Sequence, residues 1–170
     1  MADTFKLYKL IILYMLNKVD FPLTTSQISE FIVTREYTTF FKMNQALSEL
    51  RESGFLREET THNRTIYHLN DEGAETIRFF KNEIPNPIQD DINKYLRERK
   101  FDLKSEVSIK SDYYKNENNE YTAHCSITEQ KAPVIDLSLS VPSKDEAEKI
   151  ASNWESKSDE IYSFLIKKLL

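Results

Sequence analysis

The chain has 170 residues, of which 39% are apolar and 30% charged, and its formal net charge is −5. That length allows one large domain or two small ones, and that balance of residues describes a soluble folded chain rather than a disordered one. Residues 1–83 carry 10 Lys and Arg against 12 Asp and Glu, and residues 84–170 carry 13 against 16, so neither half has the basic surplus that drives general phosphate binding.

Phe5 to Leu16 reads as a first helix, with ten of its twelve positions apolar or Tyr. It has no clear polar stripe, so it is either central to its domain or partly covered by a second subunit. The run Leu10–Leu16 is too short to cross a bilayer, and no small-residue cleavage site follows it, so no membrane or secretory segment is expected. Cys125 is the only cysteine, which excludes an intramolecular disulfide and a Cys-based structural zinc site. These features fit a cytoplasmic protein.

Pro22 keeps Val19–Leu23 extended. Thr24 and Gln27 then match a capping box, with Leu23 and Ile28 as the hydrophobic staple. The second helix runs to about Val33 and buries Ile28, Phe31 and Ile32. After the four-residue turn Thr34–Tyr37, Thr38 or Thr39 caps a third helix, and two helices so joined form a helix-turn-helix. On the third helix Phe40, Met43, Leu47 and Leu50 recur at helical spacing toward the core, with Ala46 allowing close packing. The opposite face presents Thr38, Phe41, Gln45, Ser48 and Glu52, flanked by Lys42 and Glu49. Phe41 has three readings there: contact with a thymine methyl, burial against a partner, or packing under the first helix.

The only two glycines of the chain lie at the end of the third helix and in the first turn of the fourth. Gly54 ends the third helix, where a positive φ costs glycine nothing. Phe55–Thr60 and Thr65–Leu69 read as two strands joined at a polar tip, Thr61–Arg64. Asn70 opens a fourth helix to about Asn82, with Ile77, Phe79 and Phe80 as its apolar positions. Gly73 falls in its first turn, at a cost of about 1 kcal/mol against Ala, which points to close backbone approach. His62 and His68 have no partner at ligand spacing, so no metal site is expected.

From the second helix through Gly73, the chain resembles winged-helix repressors of the PadR and MarR type. It is closer to uncharacterised bacterial proteins that join such a domain to a small α+β extension, so the likeness covers the whole chain. The resemblance implies a cytoplasmic, dimeric transcriptional regulator. On the residues themselves, the amino-terminal part of the third helix would enter the major groove, with Thr38, Thr39, Lys42 and Gln45 reading bases. Arg35 and Arg64 would contact phosphate. Six acids, Glu30, Glu36, Glu49, Glu52, Glu58 and Glu59, surround that face and work against it.

Pro85 and Pro87 mark a boundary between residues 1–83 and 84–170. A helix begins at Pro87 with Ile88, Ile92, Tyr95 and Leu96 on one face, Asp90 and Asp91 at its amino end, and Arg97, Arg99 and Lys100 at its carboxy end. Three strands come next, with apolar odd positions: Leu103, Val107, Ile109 and Tyr113; Tyr121, Ala123, Cys125 and Ile127; Ile135, Leu137, Leu139 and Val141. Alternation of that kind indicates an antiparallel sheet buried on one face. The turn Lys115–Asn119 suits left-handed residues. Ser143 and Glu146 form a second capping box, and Glu155–Asp159 interrupts the closing helix as a kink or break. Ile161–Leu170 is apolar enough to dock on its own sheet or on another subunit.

No catalytic constellation stands out. His124 and Cys125 are adjacent in a strand and point to opposite faces, there is no glycine-rich phosphate loop, and the carboxylates are scattered. The expected fold is α+β: a winged helix-turn-helix followed by an α-β-β-β-α domain with a three-stranded antiparallel sheet, for dimerisation or regulation. The expected function is a sequence-specific regulator of double-stranded DNA, without cofactor and not an enzyme. The alternative is a winged helix used as a protein–protein interaction module. A homodimer is expected through the first helix or the apolar end of the last, since winged-helix regulators bind paired half-sites.

Overall fold

The computed structural model describes residues 3–170 as an α+β chain with two three-stranded antiparallel sheets. By internal contacts it divides into two compact units, Met1–Thr60 with Arg64–Val107 and Thr61–Asn63 with Ser108–Leu170.

In the first unit, α1 (Thr4–Lys18) is the central element. Leu10 through Leu16 are all buried, because α3 (Phe40–Glu52), α4 (Asp71–Phe80) and β3 (Thr65–Leu69) pack around them. The apolar circumference of this helix is therefore covered within its own chain and calls for no second subunit.

The expected capping box at α2 (Thr25–Ile32) is present. The Gln27 amide N–H donates to Thr24 Oγ1 at 3.0 Å, and the Thr24 N–H donates to Gln27 Oε1 at 2.9 Å. Leu23 and Thr24 also form a short strand, β1, that pairs antiparallel with β3. The sheet order is β1-β3-β2, with β2 at Leu56–Thr60. The hairpin is legible in the sequence; the third strand is not.

Both helix ends that flank α3 close in the left-handed region. At Gly54 (φ 80°), the Phe55 N–H reaches Leu50 O at 3.0 Å and the Gly54 N–H reaches Arg51 O at 3.0 Å, the Schellman pattern. Glu36 (φ 58°) does the same after α2, with the Tyr37 N–H on Ile32 O at 3.0 Å. Gly73 is buried in the first turn of α4, where an added Cβ would run into the Phe55 carbonyl oxygen and lie 2.8 Å from Leu69 Cδ1. Close approach explains the glycine. After α4 the chain makes one 3-10 turn, Lys81–Glu83.

The helix after the prolines, α5 (Asn86–Ser108), is about two turns longer than its charges suggested. Leu103 and Val107, expected in a strand, are buried on this helix with Ile92, Tyr95 and Leu96. Their four-residue spacing fits a helix as well as alternation does, and Ser105 between them already breaks the alternation. Arg97, Arg99 and Lys100 consequently lie inside the helix and not at its carboxy end. Up to Val107 the helix belongs to the first unit, so the contact boundary falls later than the proline pair.

The second unit contains β4 (Ile109–Lys115), β5 (Tyr121–Glu129) and β6 (Ala132–Val141) in the order β4-β5-β6, under α6 (Lys144–Leu169). In the β4–β5 turn Asn116 Oδ1 accepts the N–H groups of Asn118 and Glu120 at 3.1 Å each, and Asn119 takes a φ of 66°. A two-residue turn with both φ angles positive, Gln130 and Lys131, links β5 to β6 without the usual Asn or Gly. That is why the third strand starts earlier than expected.

The odd-numbered face carries Ala123 and Cys125, both fully buried. On β6 the cover thins, and Leu139 is 46% exposed. The Ser143–Glu146 capping box holds, but the expected break at Glu155–Asp159 does not occur: α6 is continuous over 26 residues. Ser158 is buried on the apolar stripe and donates to the Glu155 carbonyl at 3.3 Å, so its hydroxyl is satisfied within the helix. No helix among the described residues is long and apolar enough to cross a membrane.

Candidate functional site

The outer face of α3 is the candidate surface, and its geometry begins at the cap. Thr39 Oγ1 accepts the Lys42 N–H at 3.3 Å, so Thr39, rather than Thr38, caps the helix. The Thr38 hydroxyl oxygen is buried and has no hydrogen-bond partner among the described residues. Thr38 is thus turned away from the surface it was expected to join.

Lys42 and Gln45 are exposed one turn apart, and neither side chain has an ion pair or hydrogen bond among the described residues. Beside them Phe41 is 78% exposed, which excludes packing under α1 and leaves the two other readings. Phe40, expected in the core, is 55% exposed. It is the first residue of the helix, and helical side chains lean toward the amino terminus, so its ring points beyond the packed turns.

The two arginines sit elsewhere. Arg35 pairs with Asp91 of α5 at 3.1 Å and lies over the Phe31 and Tyr95 rings, 4.6 and 5.0 Å from their centroids. Tyr37 donates to the same carboxylate at 2.6 Å, and burial together with Asp91 pushes its phenol up to about 12. Arg64 donates to the Glu106 carbonyl. Thr39, Lys42 and Gln45 therefore share one face, while Arg35 and Arg64 are committed to α5.

Four of the six surrounding acids are engaged within the first unit. Glu49 pairs with Lys9 at 2.6 Å, Glu58 with Arg51 at 2.9 Å and Glu59 with His68 at 2.8 Å. Glu30 accepts from Arg99 and, at 2.9 Å, from the Tyr95 hydroxyl. Burial pushes the Glu30 carboxyl up, but these two bonds and the charges of Arg99 and Arg35 outweigh it and hold the carboxyl below its ordinary range. These pairs are invisible in the sequence, because partners such as Glu30 and Arg99 lie far apart along the chain. The one signal for them is the long charged helix that supplies Arg99.

In the second unit Cys125 is buried on the sheet, and burial alone pushes its thiol up to about 11, away from nucleophilic use. His124 and Asp136 bond at 2.6 Å on the open face of that sheet. No group of three or more His, Cys, Asp or Glu among the described residues could hold a metal ion.

Fold and surface together define a two-unit α+β protein in which α3 presents an exposed face with unpaired polar side chains. A family model for a domain of unknown function, DUF4364, matches residues 8–169, and the chain belongs to that family. No curated protein matches the sequence.

Proposed function

We propose that residues 1–83 form a winged helix-turn-helix of the kind found in PadR- and MarR-type repressors, and that the protein is a sequence-specific regulator of double-stranded DNA. The observation that carries this reading is the α3 face itself. Thr39, Lys42 and Gln45 are exposed on the first turns of a helix that follows a short helix-to-helix connection and precedes an antiparallel hairpin. Lys42 is a free cation, while three of the six neighbouring acids, Glu30, Glu49 and Glu58, are paired with an Arg or Lys of the chain, so the face is less repulsive to phosphate than composition suggests. Gln45 offers the bidentate amide that pairs with adenine. Arg35 and Arg64 act in this reading as braces between α5 and the rest of the unit.

Genomic-library selection at two salt concentrations tests the proposal. Enrichment of one site is expected, with binding that weakens as salt rises. Lys42→Ala should lower the salt slope by about one, and Gln45→Ala should relax the preference at one base position. Absence of enrichment even at low salt would overturn the reading. A second reading, a protein-binding face, is favoured by the exposed pair Phe40 and Phe41. In that case Phe41→Ala abolishes capture of the protein partner, and no DNA sequence is enriched.

A further inference from the structure

Phe41 stands among the polar side chains of α3 and is 78% exposed. Among the described residues its ring has no aromatic or cationic neighbour. At about 100° per residue, Phe41 shares one line of the helix with Gln45, Ser48 and Glu52. Lys42 flanks that line on one side and Asn44 on the other, and all five reach the surface. The nearest apolar residues of the next turn, Met43, Ala46 and Leu47, are fully buried. Phe40, the other exposed ring, projects about 100° round the axis from Phe41, on the side away from Gln45. Phe41 is therefore a single apolar group within a polar row.

That arrangement limits what the ring can meet. A protein-docking patch is a contiguous apolar area of a few hundred Å², which one ring in a polar row does not make. A base edge in the major groove has the matching character. It presents hydrogen-bond donors and acceptors, and the C5 methyl of thymine is its apolar group.

Gln45 fixes where such a thymine would lie. It follows Phe41 by four residues, about 6 Å along the axis. A duplex rises about 3.4 Å per base pair, so side chains that far apart reach pairs no more than about two steps from each other. We propose that Phe41 is a specificity-determining residue, whose ring packs on the C5 methyl of a thymine within two base pairs of the adenine that Gln45 reads. The inference rests on the DNA-binding reading of α3. It adds the one base feature that hydrogen bonding does not sense, and so separates thymine from cytosine at a position no amide reads.

The test begins with the site enriched by library selection. In a series of synthetic duplexes each thymine in turn is replaced by uracil, which keeps its pairing and loses only the methyl. Wild-type protein should bind about fourfold more weakly at one such position, the effect of one buried methyl group. That position should lie within about two pairs of the one that Gln45→Ala relaxes. Phe41→Ala should bind the thymine and uracil duplexes alike, with an unchanged circular dichroism spectrum, since the ring is already exposed. With cytosine at the same position, 5-methylcytosine should recover about fourfold in the wild type and nothing in Phe41→Ala. Uracil tolerated at every thymine, a loss that persists in Phe41→Ala, or no recovery by 5-methylcytosine overturns the inference and leaves site-specific DNA binding standing. Absence of any enriched site, even at low salt, overturns both.

Discussion

Two segments of this chain, Leu10–Leu16 and Ile161–Leu170, look alike in sequence and are surrounded very differently. Both are helical and strongly apolar, and either could have been assigned to a core or to an interface. In α1 every residue from Leu10 to Leu16 is at most 5% exposed. At the end of α6, Phe164 and Leu169 stand in solvent. Apolar content alone does not say whether a helix is finished by its own chain. What decides is the supply of neighbouring surface: α1 has helices and a strand around it, whereas α6 outruns a sheet about 30 Å long.

Truncation should break the two cases apart by the widest margin. Ile12→Ala removes a fully buried side chain from the centre of the first unit and should cost about 2–5 kcal/mol. Leu169→Ala, at a monomeric concentration, should change stability by no more than about 0.5 kcal/mol. Urea midpoints of the two variants provide the comparison. Similar losses in both would mean that the end of α6 is covered in the monomer after all.

A second contrast sharpens the point inside the first unit, where packing leaves no slack. Gly73→Ala gains helix propensity of about 1 kcal/mol, yet its Cβ meets a backbone oxygen of Phe55 that cannot step aside. Overpacking of this kind costs about 1–3 kcal/mol, and a net loss of stability is expected. At Gly54 a Cβ would have only an ordinary contact, 3.7 Å from Glu72 Oε2, so Gly54→Ala carries just the left-handed penalty of about 1–2 kcal/mol. A stabilised Gly73→Ala would show that the α4 approach is looser than its geometry.

The glycines also mark what the sequence could reveal. Their roles, both capping boxes, the hairpin and the three later strands were legible because each rests on residues close together in the chain. Strand β1 was not, since two residues carry no periodicity and its partner Tyr67 lies 44 positions away. The end of α5 was missed because Leu103 and Val107 satisfy two periods at once. Phe40 was misplaced because a helical wheel ignores where the helix starts. On α3, Thr39, Lys42 and Gln45 could be picked by face alone. The loss of Arg35 to Asp91 could not be, because it depends on where α5 docks.

The smallest expected effect concerns that docking, where ion pairs at the rim add to the apolar contact of Ile92, Leu96 and Leu103. The Glu30 carboxyl is held below its ordinary value of 4.5 in the folded chain by Arg99, Tyr95 and Arg35. A carboxylate depressed in this way stabilises the fold fully above its unfolded value, and that stability is lost as pH falls through the folded value. Because the side chain is 42% exposed, solvent screens much of the interaction. Glu30→Gln should therefore lower stability slightly at neutral pH and flatten the decline on acidification from about pH 5 toward pH 3. Urea unfolding at a series of pH values measures both effects. Curves for wild type and variant that run parallel through that window would show that Glu30 titrates alike in both states. Docking of α5 would then rest on Ile92, Leu96 and Leu103, making it an apolar contact of the same kind that completes α1.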